Sequence, residues 1–172
     1  MDISTRTKRI VLGLVIVLAG IQLIPVWLWQ KNPPVSREPT WDSPETRALA
    51  RGACFDCHSN QTAWPLYARV APVSWLVTWD VLKGRDELNF SAWGVARREG
   101  GEVKGAEDAA KQIREGEMPP GLYAMMHAAA RLDDATRTRL IRGLQASLGA
   151  GPASAGPERG ERGEAGEERE RR

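Results

Sequence analysis

The pentapeptide Cys54-Phe55-Asp56-Cys57-His58 constrains this chain more strongly than any other feature. It contains both cysteines of the chain and one of its two histidines. A Cys-x-x-Cys-His run is the attachment signature of a covalent haem, in which two thiols form thioethers with the vinyl groups and the imidazole binds the iron. The sequence therefore predicts one haem c per chain, bound through Cys54 and Cys57, with His58 as the proximal ligand.

Three other interpretations compete for the same residues. A thioredoxin-like thiol pair is expected beside a βαβ pattern, and the surrounding sequence is not rich in strand signals. A structural zinc site would need four ligands, which only Cys54, Cys57, His58 and the distant His127 could supply, without a second Cys-x-x-Cys. The third is a chance arrangement of two cysteines and a histidine. Haem attachment is favoured over all three.

A nearly uninterrupted apolar run extends from Ile10 to Trp29, which as a helix is long enough to cross the hydrocarbon core of a bilayer. Arg6, Lys8 and Arg9 precede this run, so the positive-inside rule leaves the N-terminus in the cytoplasm. The chain after Gln30 is then expected across the cytoplasmic membrane, facing the periplasm or the exterior. The sequence predicts a single-pass membrane protein.

Two alternatives compete with an uncleaved anchor, a cleaved signal peptide and a buried helix. Val17-Leu18-Ala19 resembles the cleavage site of a signal peptide. The apolar run continues past that site, however, and ends in Trp27 and Trp29, which suit the aromatic belt of a true span. A buried helix of a soluble protein would not be apolar on every side. The anchor is therefore the favoured interpretation.

The chain divides into four predicted parts. Residues 1–30 form the membrane anchor, 31–39 an extended proline-rich linker that spaces the domain off the membrane, 40–148 the haem-binding domain and 149–172 a disordered charged tail. The tail interleaves Glu with Arg, and the whole chain has a net charge of only +2. These charges argue against nucleic acid as a partner.

The domain is expected to be all-α, because no stretch alternates as a strand does. Helices are predicted at 44–51, 72–83, 92–99, 107–115 and 134–148, with the second marked by the helical spacing of Val73, Leu76, Val77 and Val81. Ser43, Ser91 and Asp133 are the candidate N-caps, and Gly52, Gly84, Gly100 and Gly116 the candidate stops. The fold class is a small cytochrome c-like helical domain around a covalent haem, preceded by one transmembrane helix.

Several residues are candidates for contacts around the haem. A backbone carbonyl is expected to accept a hydrogen bond from the second ring nitrogen of His58, and the turns before Pro65 and Pro72 are candidate positions for it. The flat rings of tryptophans in the domain are predicted to pack in the core, to line the porphyrin, or both. These tryptophans are Trp41, Trp64, Trp75, Trp79 and Trp93.

The sixth iron ligand decides the class of function, because a second strong protein ligand makes a haem an electron carrier while an open position permits chemistry. Met118 is the favoured candidate, since it lies in a loop rich in glycine and proline that exposes its thioether. His127 is the less favoured candidate, with a surface or hydrogen-bonding role as its default. Met125 and Met126 are expected in a helical turn with their side chains in the core.

Residues beyond the pentapeptide carry a resemblance to a known family. Their order is Cys54-x-x-Cys57-His58-Ser59-Asn60, Trp64-Pro65, Tyr67, Ala71-Pro72-Val73-Ser74-Trp75, Asn89-Phe90-Ser91-x-Trp93, Gly116-Glu117-Met118-Pro119-Pro120, Tyr123 and His127. This order resembles the bacterial haem-binding domain family of membrane-anchored c-type cytochrome-like proteins. The resemblance implies covalent haem c at Cys54 and Cys57, His58 as proximal ligand and Met118 as distal ligand.

The expected function is single-electron transfer between membrane or periplasmic partner proteins, which the sequence does not identify. One alternative is a haem-based sensor or peroxidase-like enzyme with an open or displaceable sixth position, for which His127 and Glu117 are the candidate acid/base groups. Another is a thiol oxidoreductase without haem, which would have free thiols at Cys54 and Cys57. An electron carrier needs no catalytic residue.

Overall fold

The computed structural model describes residues 4–94 and 105–149. In this part of the chain the only β-pairing is an isolated parallel bridge between Arg37 and Ala92. The predicted all-α fold is therefore confirmed. The α-helices are α1 (Thr5–Ile21), α2 (Pro44–Ala53), α3 (Phe55–His58), α4 (Val73–Glu87), α5 (Ala106–Arg114), α6 (Gly121–Met126) and α7 (Asp134–Leu148), and 3-10 turns occur at Val26–Leu28, Leu66–Arg69 and Ala128–Ala130.

One helical stretch near the N-terminus, Thr5–Leu28, is long and apolar enough to cross a membrane, and 6% of its most apolar window is buried in the structure. It is not one continuous α-helix over the predicted Ile10–Trp29 range. α1 ends at Ile21, and the chain then turns and continues as the Val26–Leu28 3-10 turn. Pro25 explains the break, because it lacks an amide donor and its ring clashes with the preceding helical turn.

Residues 31–39 are extended, but they lie against the domain instead of holding it apart. The amides of Ser36 and Arg37 donate to the carbonyl oxygen of Ser91 at 2.9 and 3.1 Å, and the amide of Trp93 donates to the carbonyl oxygen of Arg37 at 3.0 Å. The carbonyl oxygen of Pro34 accepts from Asn60 Nδ2 at 2.8 Å. The expectation that this segment acts as a spacer was wrong, because its backbone groups bond to the folded domain.

The predicted N-caps of α2 and α7 are confirmed. Ser43 Oγ accepts a hydrogen bond from the amide of Thr46 at 3.1 Å, and Asp133 Oδ1 accepts one from the amide of Thr136 at 2.7 Å. Each bond satisfies an amide that has no partner within its own helix. The predicted end of α5 is also confirmed within one residue, since the backbone leaves the helix at Gly116 with a φ of +77°.

The core forms where α2, α5 and α7 meet the segment after α4. α7 buries the face predicted for it, and the fully buried positions include Leu140, Leu144 and Leu148. Phe55 and Phe90 stack at a ring-centroid distance of 5.4 Å and join this cluster from the other side. The result is a compact apolar centre next to the Cys-x-x-Cys-His segment.

Three helix limits differ from the prediction. Gly84 does not stop α4, which continues to Glu87, and α2 continues past Gly52 to Ala53. Ser91 does not cap a helix, because residues 92–94 are turns and the bridge to Arg37. The rest of the predicted 92–99 helix, and the predicted tail from residue 150 onward, lie outside the described residues.

α4 has an unusual distribution of side chains. It buries Ser74, Thr78, Val81 and Gly84. It exposes Trp75, Leu76, Trp79 and Leu82, which are here named the outer face of α4. The expectation of core packing holds for the buried Trp93 and for Trp41, which packs against the core. It is wrong for the exposed Trp75 and Trp79, and contact of the tryptophans with a porphyrin stays a prediction.

Candidate cofactor site

The Cys-x-x-Cys-His segment forms the junction of α2 and α3. The amide of Cys54 still bonds to the carbonyl oxygen of Ala50 in α2 at 2.8 Å, and the carbonyl oxygen of Cys54 accepts from the amides of Cys57 and His58 at 3.2 and 2.9 Å. The ring of Phe55 is buried in the core, where its centroid lies 6.0 Å from that of Trp41. Core packing of this ring therefore fixes the position of the whole segment.

Both thiols are free and are held in their neutral form. Burial, with a smaller effect from Cys57, raises the pKa of Cys54 to about 12. Burial, with the charges of Asp80 and Asp56, raises the pKa of Cys57 to about 11. A thioredoxin-like site lowers the pKa of a thiol to make a thiolate, so these environments disfavour that interpretation.

His58 is oriented by a backbone carbonyl, as expected, but from an unpredicted position. Its Nδ1 atom lies 3.1 Å from the carbonyl oxygen of Leu88, which follows the last residue of α4. The candidate turns before Pro65 and Pro72 were wrong. The sequence carries no signal for this contact, because a carbonyl is present at every residue and only the path of the chain after α4 selects Leu88.

α4 approaches the Cys-x-x-Cys-His segment very closely at Gly84. A Cβ atom built on Gly84 would lie 2.5 Å from the carbonyl oxygen of Cys57 and 3.0 Å from its Cβ atom. Only a glycine allows this separation. The glycine that the sequence indicated as a helix stop is instead a contact point between α4 and the cofactor motif.

An apolar cleft opens next to Cys54 and His58. Its empty volume, including space open to solvent, is about 780 Å³. Polar side chains contribute to the wall at Glu87, Asp108 and Gln112. The remaining wall is formed by Ala53, Cys54, His58, Leu88, Phe90, Ala109, Ile113, Met118, Pro119, Leu140 and Leu144. Cys57 lies on the α4 side and is not among the described residues that line this cleft.

Met118 reaches the same cleft from a different part of the chain. It lies in the loop between α5 and α6, after the left-handed Gly116, and its amide donates to the carbonyl oxygen of Gln112 at 3.2 Å. Its side chain is half-buried and packs against the core. The fold thus brings together three of the predicted site residues, Cys54, His58 and Met118, at one cleft.

The remaining candidate ligand, His127, follows α6. Its ring stacks on Tyr123 at a centroid distance of 3.9 Å, and its Nδ1 atom lies 3.0 Å from the carbonyl oxygen of Tyr123. His127 is not among the described residues that line the cleft. Met125 and Met126 lie at the end of α6, as predicted, but they are 64% and 47% exposed, so their expected core packing was wrong.

Sequence reasoning missed the contact that joins α6 to the motif. The hydroxyl of Tyr123 donates to Asp56 Oδ2 at 2.7 Å, and Asp56 Oδ1 accepts from the amide of Ala63 at 2.9 Å. Burial and the neighbouring Asp56 carboxylate raise the pKa of Tyr123 well above its ordinary value. Asp56, between the two cysteines of the motif, therefore anchors both α6 and the backbone at Ala63 to the motif.

Comparison with protein families bears on the cofactor of this chain. A family model described as a haem-binding domain matches residues 16–146, well over half of the chain. The chain belongs to the haem-binding domain family. No curated protein and no solved structure gives a significant match to it. Membership of this family supports haem as the cofactor.

The residues at the cleft fit the cofactor of the haem-binding domain family. A porphyrin is a large, mostly apolar ring, and the wall of the cleft is mostly apolar with few polar side chains. An imidazole with one nitrogen already bonded and a thioether sulfur are both established iron ligands. In contrast, the described part of the chain contains no cluster of three or more His, Cys, Asp or Glu side chains that could hold a metal ion directly.

Proposed function

We propose that this protein is a membrane-anchored c-type haem protein that transfers single electrons. In this proposal Cys54 and Cys57 bind one haem covalently, and His58 and Met118 bind its iron. The observation that carries the proposal is that His58, at the end of α3, and Met118, in the loop after α5, line the same apolar cleft. Two side chains from separate segments of the chain would then hold the iron.

The imidazole of His58 is prepared for this role by its hydrogen bond to Leu88. If Nδ1 donates to the carbonyl oxygen, from which it lies 3.1 Å away, Nε2 would be the nitrogen that binds the iron. Such a bond fixes the tautomer and the orientation of the ring and raises its basicity as a ligand. The orientation is set before the cofactor enters.

The two thiols supply the covalent attachment. Cys54, which lines the cleft, and Cys57, on its α4 side, would hold the haem through thioether bonds to its vinyl groups, an addition of the thiol across a double bond that needs no oxidant. Burial raises the pKa of Cys54 to about 12, which favours the protonated thiol in the protein without haem. Free thiols would remain only in the protein without haem.

Met118 determines what the iron can do. The bound haem supplies an iron that accepts and releases one electron, and a thioether ligand raises its reduction potential. Met118 packs against the core, so its thioether would be held in place as a ligand of the iron. This arrangement favours electron transfer over binding of a small molecule.

The N-terminal helix gives the proposed location. α1 and the 3-10 turn after it form the apolar stretch Thr5–Leu28, and Arg6, Lys8 and Arg9 lie at its N-terminal end. By the positive-inside rule that end stays in the cytoplasm. The haem domain then faces the periplasm or the exterior, where it exchanges electrons with partner proteins at the cytoplasmic membrane.

Absorption spectra of the full chain, expressed with haem-attachment machinery, test this proposal. We expect haem staining on a denaturing gel and low-spin spectra in both oxidation states for the wild type. Met118→Ala should become high-spin and bind carbon monoxide, while Met125→Ala, a control with an exposed methionine, should match the wild type. High-spin iron that binds carbon monoxide readily in all three proteins, or titratable thiols in place of haem staining, would contradict the proposal.

A further inference from the structure

The polarity of α4 is reversed relative to an ordinary surface helix. Its buried side carries two hydroxyl residues, Ser74 and Thr78, together with Gly84, and Val81 is the one large apolar residue among its fully buried positions. Its exposed side carries the outer face, in which Leu76 is 51% and Trp79 is 61% exposed. Surface helices of water-soluble domains place apolar side chains inward and polar ones outward. The outer face of α4 therefore needs an apolar environment that the domain itself does not supply.

The segment that leads into α4 also exposes large apolar side chains. Leu66 is 84% exposed in the 3-10 turn that packs on α4, and Val70 and Val73 are 56% and 43% exposed. Single exposed apolar residues are ordinary, whereas an accumulation of large ones indicates a surface that binds something. Together, this segment and the outer face of α4 form a stretch from Leu66 to Leu82 that is rich in exposed apolar side chains.

Hydrogen bonds join the end of α1 to the start of α4. Gln22, the residue that follows α1, forms a reciprocal pair with Ala71: its Nε2 donates to the carbonyl oxygen at 3.1 Å and its Oε1 accepts from the amide at 3.0 Å. Gln30 donates to the carbonyl oxygen of Ala68 at 2.6 Å and lies 3.0 Å from Thr78 Oγ1. The start of α4 is thus held at the end of the apolar N-terminal helix.

These contacts indicate what covers the outer face of α4. If the apolar stretch Thr5–Leu28 crosses a bilayer, as in the proposed function on which this inference rests, its outer end lies between Gln22 and Gln30. Both glutamines are bonded to the segment from Ala68 to Thr78, so α4 begins beside the outer end of the span, at the membrane surface. The stripe from Trp75 to Leu82 then runs along the helix for about 10 Å, which suits a helix lying in the plane of the interface.

The residue types agree with a lipid surface. Tryptophan is enriched at the boundary between headgroups and acyl chains, because its ring is apolar and its indole nitrogen is polar. Lys83 Nζ lies 5.8 Å from the centre of the Trp79 ring, at the margin of the outer face. A lysine at this margin can reach anionic headgroups while its stem stays on apolar surface.

We propose that α4 is an interfacial helix, whose outer face inserts into the outer headgroup–acyl boundary of the bilayer that α1 crosses. Its insertion fixes how the cofactor cleft is turned relative to the membrane. Leu88, whose carbonyl orients His58, directly follows α4, and Gly84 of α4 contacts Cys57. The same helix therefore links the membrane surface to the ligand set of the cleft.

Lipid photolabelling tests this inference with the full-length, haem-loaded protein. The protein is placed in vesicles of phosphatidylcholine and phosphatidylglycerol that contain a phospholipid with a diazirine in its acyl chain. After illumination and digestion, trypsin yields peptide 10–31, which reports on the anchor, and peptide 70–83, which contains the outer face of α4. Mass spectrometry then measures the labelled fraction of each peptide.

We expect both peptides to be labelled in the wild type. The double variant Leu76→Glu with Trp79→Glu should lower labelling of peptide 70–83 by about tenfold, because a carboxylate must leave the apolar boundary, and should leave peptide 10–31 unchanged. Leu122→Glu is the matched control, since this leucine is 55% exposed but lies on α6, outside the outer face. Wild-type haem spectra of both variants show that they fold.

The outcomes separate this inference from the proposed function. Label on peptide 10–31 without label on peptide 70–83 would overturn the insertion of α4 and keep the anchor. It is also the result expected if the outer face binds another membrane protein, because the vesicles contain none. Label on neither peptide would overturn both the membrane anchor of the proposed function and the insertion of α4. Equal label on peptide 70–83 in the double variant would show that the outer face is not what contacts lipid.

Discussion

The Nδ1 atom of His58 lies 3.1 Å from the carbonyl oxygen of Leu88. The backbone of His58 is bonded to the same segment, because its carbonyl oxygen accepts from the amide of Phe90 at 2.8 Å. Residues 88–90 continue directly from α4. The orientation of the imidazole is therefore coupled to the position of α4 on the Cys-x-x-Cys-His segment.

Gly84→Ala should weaken this coupling and destabilise the protein. The added Cβ atom would lie 2.5 Å from the carbonyl oxygen of Cys57, a backbone atom that cannot rotate away. We expect a loss of about 2–3 kcal/mol in the free energy of unfolding, at the upper end for an overpacked site. Chemical denaturation of the haem-loaded protein at pH 7 measures it.

Gly121→Ala is the matched control for that experiment. Gly121 begins α6, and an added Cβ atom meets nothing within 4 Å. Its free energy of unfolding should change by less than about 0.5 kcal/mol. If Gly84→Ala proved as stable as Gly121→Ala, the close approach of α4 to Cys57 would not be the contact described above.

Tyr123→Phe should remove one hydrogen bond and leave haem attachment intact. The hydroxyl donates to Asp56 Oδ2 at 2.7 Å, and bonds to charged acceptors in partly buried sites contribute about 1.5 kcal/mol. We expect a loss of that size in thermal or chemical unfolding, with unchanged haem staining. Tyr67→Phe is the control, because its hydroxyl makes no side-chain hydrogen bond in residues 4–94 or 105–149; an equal loss in both variants would contradict the prediction.

Local signals were sufficient for much of the fold. Ser43 and Asp133 marked the starts of α2 and α7 because an N-cap acts within three residues of its own position. The apolar spacing in α7 identified its buried face because the helical period is set locally. The motif around Cys54 indicated the cofactor because haem attachment uses adjacent residues.

Features that depend on long-range contacts could not be predicted in the same way. The role of Gly84 depends on the path of Cys57, and a glycine that permits close packing has the same sequence signal as one that ends a helix. Trp75 and Trp79 were predicted to pack in the core because large apolar side chains are usually buried, yet both are exposed on α4. The sequence does not show on which side of a helix an apolar surface outside the domain lies. The partner of the Asp56 carboxylate, Tyr123, lies far along the chain.

Glu38→Gln should make the free energy of unfolding depend less on pH in the acid range. Arg47 donates two hydrogen bonds of 2.8 Å to the Glu38 carboxylate, and these bonds, opposed by burial and aided by Trp41, lower its pKa from 4.5 to about 2. A lowered pKa in the folded state means that this stabilisation is present above pH 4.5 and is lost as the pH falls towards 2.

We expect Glu38→Gln to lower the free energy of unfolding by about 1 kcal/mol at pH 7, since solvent reaches this pair and limits its contribution. The difference from the wild type should shrink as the pH falls from about 4.5 to about 2. Glu45→Gln is the control, because Glu45 pairs with Arg139 at 3.5 Å on a more exposed surface. If the difference in free energy of unfolding between Glu38→Gln and the wild type stayed constant with pH, the ion pair would not be the source of the stabilisation.

His127→Ala should leave the iron unchanged, because His127 stacks on Tyr123 at a centroid distance of 3.9 Å and does not line the cleft. Loss of the stacked pair should lower the free energy of unfolding by about 1 kcal/mol. The absorption spectrum, the spin state and the weak binding of carbon monoxide should match the wild type, whereas Met118→Ala should change all three. The opposite pattern, with a high-spin His127→Ala and an unchanged Met118→Ala, would assign the sixth position to His127 and bring α6 into the ligand set.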